Sequence, residues 1–206
     1  MKSNSIVFEA RQLSCIRDDR VLFANLDFRV TGGQVLLIEG PNGSGKTSLL
    51  RILTGLRLPD EGELFWCGSS LEELDSAFYQ HIAYVSHGNG LKDDLSVEEN
   101  LRYARAFGES TLTIDQALEK VGLMGYQDTP VRYLSAGQRR RLALARLLCM
   151  KKSLWILDEP FTSLDKKSIA TFEQFIQSHV ADNGLVVMTS HHDTGLPAEI
   201  VQKIEL

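Results

Sequence analysis

Val35–Glu39, Leu154–Leu157 and Leu185–Thr189 are short, almost wholly apolar runs. Their length and branched side chains predict strands buried on both faces. Ile82–Val85 predicts another. The opening is less uniform: Ile6–Leu13, then Leu22, Leu26, Phe28 and Val30 among polar residues, have alternating or buried-strand character. Pro59-Asp60-Glu61-Gly62 is a turn leading to a strand at Glu63–Trp66. Helical spacing marks Lys46–Leu56, Ile114–Val121, Gly137–Met150 and Lys166–His179. Ser96-Val97-Glu98-Glu99 is a capping box that opens a further helix to about Phe107.

Strands alternating with helices imply an α/β fold with a mixed, mainly parallel sheet covered by helices. The stretch from about His87 to Met150 interrupts that alternation and predicts a helical subdomain, inserted in one domain spanning residues 1–206. No tandem repeat or low-complexity segment intervenes.

Composition changes this picture little: 43% hydrophobic and 24% charged residues are ordinary for a globular domain. The net charge of −5 gives no reason to expect a nucleic-acid partner. Cys15, Cys67 and Cys149 are scattered and read as reduced apolar fillers, not as a disulfide framework or zinc site. Glu9 and Arg11 break the apolar stretch behind Met1–Ser5, which argues against a signal peptide. No apolar run approaches the roughly 18 residues that span a bilayer, so any membrane part belongs to another chain.

The chemistry begins at Gly40-Pro41-Asn42-Gly43-Ser44-Gly45-Lys46-Thr47, a full G-x-x-x-x-G-K-[ST] loop between an apolar strand and a helix. Glycines let such a loop curl so that backbone N–H groups face an anion, and the following helix adds its positive end. Lys46 then reaches the outer phosphates of a bound nucleotide, Thr47 holds Mg²⁺, and Ser48 is counted with the nucleotide-binding residues. Asp158 and Glu159 end a buried strand, where ligands bind in open α/β sheets. Asp158 suits the Mg²⁺ shell, and Glu159 suits the general base for the attacking water.

Leu134-Ser135-Ala136-Gly137-Gln138, with the helix after it, resembles the signature of the ABC (ATP-binding cassette) family. Asp158-Glu159-Pro160-Phe161-Thr162-Ser163-Leu164-Asp165 resembles that family's Walker B and D-loop segment, and His191 stands where its switch histidine does. The resemblance implies a P-loop NTPase of the ABC type acting as a head-to-tail homodimer. ATP on one copy's phosphate loop is capped by Ser135, Gly137 and Gln138 of the other, while His191 bridges the γ-phosphate and Glu159. Alone, Ser135 reads as a helix N-cap, Arg139–Arg141 as a solvated helix face, and His192 carries no role.

Two positions depart from the family pattern. His87 stands where a glutamine usually contacts Mg²⁺ or the lytic water, and an imidazole there predicts pH-sensitive hydrolysis or coupling. Cys15-Ile16-Arg17-Asp18 lacks the usual adenine-stacking aromatic; a guanidinium stacked by Arg17 or weak stacking are the alternatives. Together with Ser86-His87-Gly88-Asn89-Gly90-Leu91-Lys92, these departures resemble the ATP-binding export subunits of cytochrome c maturation. That resemblance implies two integral-membrane partners, a peripheral place on the cytoplasmic side of the bacterial inner membrane, and ATP-driven haem delivery to a periplasmic haem chaperone. The alternatives are the ATPase of another ABC transporter, or a soluble ABC protein acting on nucleic acid or ribosomes. The acidic charge and single cassette weigh against the latter.

Overall fold

The computed structural model describes residues 6–108, 110, 112–191 and 193–206, so Met1–Ser5 lie outside it. Strands β1 (Val7–Arg17), β2 (Arg20–Thr31) and β3 (Val35–Glu39) lead into helix α1 (Lys46–Leu53). Then come β4 (Glu61–Trp66), β5 (Ser69–Ser70), α2 (Leu71–Leu74) and β6 (Ile82–Val85), with a 3₁₀ segment at Asp75–Gln80. Helices α3 (Val97–Arg105), α4 (Ile114–Lys120) and α5 (Ala136–Leu148) precede β7 (Leu154–Leu157). The chain finishes with α6 (Lys166–Ala181), β8 (Leu185–Thr189) and β9 (Val201–Glu205).

The strands form two sheets. One is antiparallel, in the order β2-β1-β4-β5; the other has five parallel strands, β6-β7-β8-β3-β9. Successive side chains of a strand point to opposite faces, and the parallel sheet uses both. Leu36, Ile38, Leu154, Ile156, Leu185 and Val187 pack toward α1 and the antiparallel sheet, with Phe8, Trp66 and Phe78. Val35, Leu37, Trp155, Leu157, Val186 and Met188 pack on the other face against α5 and α6. Two-sided burial is why these runs are apolar throughout.

Helix α5 serves two cores. Ala143, Leu144 and Leu147 lie on the parallel sheet, while Leu142, Ala145 and Cys149 join α3 and α4 in a third cluster. Its strip of leucine and alanine reflects both jobs. The first helix is shorter than its apolar pattern, stopping at Leu53 instead of Leu56. Gly55, at φ +70°, donates to Ile52 O at 2.9 Å and Leu56 to Arg51 O at 2.9 Å, a Schellman ending that satisfies the last carbonyls. Edge strand β9 and the short α2 segment add to the expected elements. Cys15 and Cys149 are buried as expected, but Cys67 is exposed at a turn with φ +52°.

His179 stacks on Trp155 at 4.0 Å between centroids and 6° between planes, and its Nε2 is buried without a partner among the described residues. Burial pushes its pKa down to about 4 from 6.5. Between those values the unfolded chain binds the proton and the folded chain does not. Stability therefore falls as pH drops through that window, by at most about 3 kcal/mol. His179→Gln is expected to lose less stability than the wild type between pH 6.5 and 4.5 in urea titrations; equal losses would exclude this source.

Candidate nucleotide site

In a parallel sheet all carboxyl ends lie at one edge, and here that edge collects the predicted chemistry. The phosphate loop follows β3, Asp158 and Glu159 follow β7, Ser190 and His191 follow β8, and Ser86–Asn89 follow β6. The loop curls through positive-φ glycines at two exacting places. A Cβ on Gly40 (φ +147°) would lie 2.8 Å from both Leu206 O and Ser44 Oγ. One on Gly45 (φ +109°) would meet Leu22 Cβ at 3.0 Å. Gly45 caps α1 with no side-chain hydrogen bond, which leaves the first N–H groups of the helix for an anion.

Lys46 is buried to 7% exposure, and its ammonium donates to Gly40 O at 2.6 Å and Pro41 O at 3.0 Å. The lysine thus lies across the loop that its phosphate would fill. Asn42, Gly43, Gly45, Lys46, Thr47, Ser48 and Glu159 border a cleft of about 450 Å³. Its other wall is the tip of the β1–β2 hairpin, where Asp18 (φ +50°) and Asp19 (φ +58°) form the turn. Arg17 borders the cleft from there, with its side chain 63% exposed and 3.6 Å from Asp18.

Thr47 Oγ1 donates to Asp158 Oδ2 at 3.2 Å, and Thr189 Oγ1 donates to Asp158 Oδ1 at 3.1 Å. Asp158 is 3% exposed, so these hydroxyls face a carboxylate with little water. The Thr189 oxygen also accepts the Glu159 N–H at 2.9 Å. Glu159 sits at φ +47°, a region that costs a residue other than glycine about 1–3 kcal/mol. Its Oε2 accepts from Thr162 Oγ1 at 3.3 Å, and its Oε1 lies 3.0 Å from His191 Nε2. The Glu159 carboxylate and the His191 imidazole are already in contact. His192 lies outside the described residues.

The signature residues stand apart from this cleft. Ser135 is exposed and N-caps α5, accepting the Gln138 N–H at 3.2 Å, while Gln138 Oε1 accepts the Ser135 N–H at 2.8 Å. Gly137 presses on the D-loop of its own chain, where a Cβ would lie 2.9 Å from Ser163 O. His87 is exposed and does not border the cleft. The solvated-face expectation for Arg139–Arg141 fails at Arg140, which is 3% exposed. Its guanidinium donates to the carbonyls of Asp158, Glu159, Pro160 and Ser86 and to Asn89 Oδ1. Burial lowers its pKa to about 10, against the pull of the Asp158 and Glu159 charges. Arg139 bonds Asp93 and Arg141 the carbonyls of Val121 and Gly122, so the run is structural throughout.

The sequence profile of the family described as ABC transporter matches residues 23–162. The chain belongs to that family, whose domain binds nucleotide. Within the family it is 44% identical over 200 residues to the "Cytochrome c biogenesis ATP-binding export protein CcmA" of Yersinia pseudotuberculosis, covering 96% of this chain and 92% of the relative. The protein of the same name from Methylococcus capsulatus is 47% identical over 186 residues, covering 89% of this chain and 90% of the relative. Among solved structures, an "ATP binding subunit of ABC transporter" shares the fold with a TM-score of 0.80 at 24% identity, over 90% of this chain and 80% of the other. A dimeric ATP-binding cassette in a post-hydrolysis state, bound to ADP and Pi, has a TM-score of 0.78 at 22% identity, over 90% of this chain and 88% of the other.

Proposed function

We propose that this chain is the ATP-binding and ATP-hydrolysing subunit of an ABC complex that powers cytochrome c maturation, through haem export or release to a periplasmic haem chaperone. The observation that carries the chemistry is the joining of Lys46, Thr47, Asp158, Glu159 and His191 at one sheet edge. The near-full-length identity to cytochrome c biogenesis export proteins supports the process served. The complex places the chain at the cytoplasmic face of the inner membrane, bound to integral-membrane subunits. In keeping with this, no helix among the described residues is long and apolar enough to cross a membrane.

Two copies bind two ATP molecules between them, each held by one copy's phosphate loop and the other's Ser135–Gln138. An N-capping serine uses a lone pair for the backbone N–H, so its hydroxyl proton can be donated to a γ-phosphate. Thr47 and Asp158 are hard oxygen donors 3.2 Å apart, a fit for Mg²⁺ that takes its other ligands from phosphates and water. The ion would supply charge neutralisation at the phosphates. Glu159 accepts a proton from water as its oxygen attacks the γ-phosphorus; the bond to the β-phosphate oxygen breaks, and ADP leaves with the electron pair. His191 holds the carboxylate at the attacking side. Loss of the bridging phosphate removes the contacts that favour the closed dimer, so the pair opens.

Affinity capture of the tagged chain from detergent-solubilised bacterial membranes tests the reading. Membrane subunits of cytochrome c maturation should come with it; another permease, or ribosomes, would overturn it. His87 is proposed to give hydrolysis or coupling its pH dependence. His87→Gln should then flatten the activity–pH profile, and superposable profiles would remove that role.

A further inference from the structure

Given that Glu159 is the general base, we infer that Arg140 positions it and ties it to the Ser86–Gly90 loop. The guanidinium donates Nη2 to the carbonyls of Asp158 and Glu159, both at 2.6 Å, and Nε to Pro160 O at 3.1 Å. Three consecutive carbonyls around the base are thus held by one rigid fork. The constraint falls where the backbone needs it, because Glu159 is at φ +47°. The third nitrogen, Nη1, reaches the other way, to Ser86 O at 3.1 Å and Asn89 Oδ1 at 2.8 Å. Arg146, two turns along the same helix, holds Asn89 O at 3.2 Å and Gly90 O at 2.8 Å.

A loop shift therefore moves Arg140, and through it the carbonyls that set where the Glu159 carboxylate points. The linkage is reciprocal, as any coupling between two sites must be. Lysine cannot serve as well: a single ammonium lacks the planar fork needed to span both segments. Arg140 does not itself border the cleft and meets it only through the Glu159 backbone, so its loss should fall mainly on turnover and little on nucleotide affinity.

The test compares Arg140→Gln, Arg140→Lys and Asn89→Ala, alone and with Glu159→Gln, in the full chain. Misplacing a catalytic group by about 1 Å costs on the order of a hundredfold, so Arg140→Gln should lower kcat by roughly that factor. Binding of a non-hydrolysable ATP analogue should stay near wild type, while the melting temperature falls, because buried carbonyls lose their donor. Arg140→Lys should recover part of the loss. Asn89→Ala should lose less and add nothing to Arg140→Gln. In the Glu159→Gln background, Arg140→Gln should cost almost nothing more, because the group it positions is gone. Full additivity with Glu159→Gln, or equal losses in kcat and analogue affinity, would overturn the inference and leave the base standing. Undiminished turnover in Glu159→Gln alone would overturn the base assignment and this inference with it.

Discussion

Glu159→Gln is expected to slow ATP turnover by about a hundredfold to ten-thousandfold, the usual worth of a positioned general base, while ATP still binds. The amide is nearly isosteric, so Oε1 can still face His191 at the observed 3.0 Å while Nε2, in Oε2's place, donates to Thr162 Oγ1. The phosphate loop, Thr47 and Asp158 are untouched, and the Glu159 backbone bonds to Thr189 and Arg140 remain. What disappears is the proton acceptor proposed for the attacking water. ATP should therefore accumulate on the variant, and the closed dimer should persist because the bridging γ-phosphate stays. Phosphate release measured in single turnover, beside size-exclusion chromatography with ATP, reads both effects. Turnover within a few-fold of wild type would show that another group takes the proton.

Much of this site is legible in the sequence, and the reason is physical. Strands buried on both faces must be apolar throughout, so β3, β7 and β8 stand out, and the residues just past their ends fall at one edge of a parallel sheet. A loop that wraps phosphate in backbone N–H groups needs glycines at fixed places, so it too is written plainly. Arg140 was hidden for the opposite reason. Its five acceptors come from loops after β6 and β7, and nothing local distinguishes it from its neighbours Arg139 and Arg141. Thr189 was hidden because a hydroxyl at a strand end looks like any other until Asp158 and Glu159 are placed around it. The early stop of α1 was hidden as well, since Leu56, 66% exposed, continues the apolar spacing past the Gly55 turn.

The strongest test of a site built from two copies is Ser135→Asp. Aspartate caps a helix as well as serine does, so α5 and its box with Gln138 should survive. The hydroxyl donor is replaced by a negative charge where the second copy's γ-phosphate would sit. Like charges brought together at an interface cost several kcal/mol, so turnover should fall at least about a hundredfold, with the melting temperature almost unchanged. Lys46→Ala should be as inactive for the opposite reason, losing the ammonium that now spans Gly40 O and Pro41 O. Mixed together, the two inactive chains should regain activity. In a mixed dimer one site carries both lesions, but the other joins an intact phosphate loop to an intact Ser135. With random pairing half the dimers are mixed and half of their sites are whole, so about a quarter of wild-type turnover is expected if the sites act independently. A mixture as inactive as its components, with exchange between copies verified by tag transfer, would mean that Ser135 does not serve the phosphate loop of a second copy.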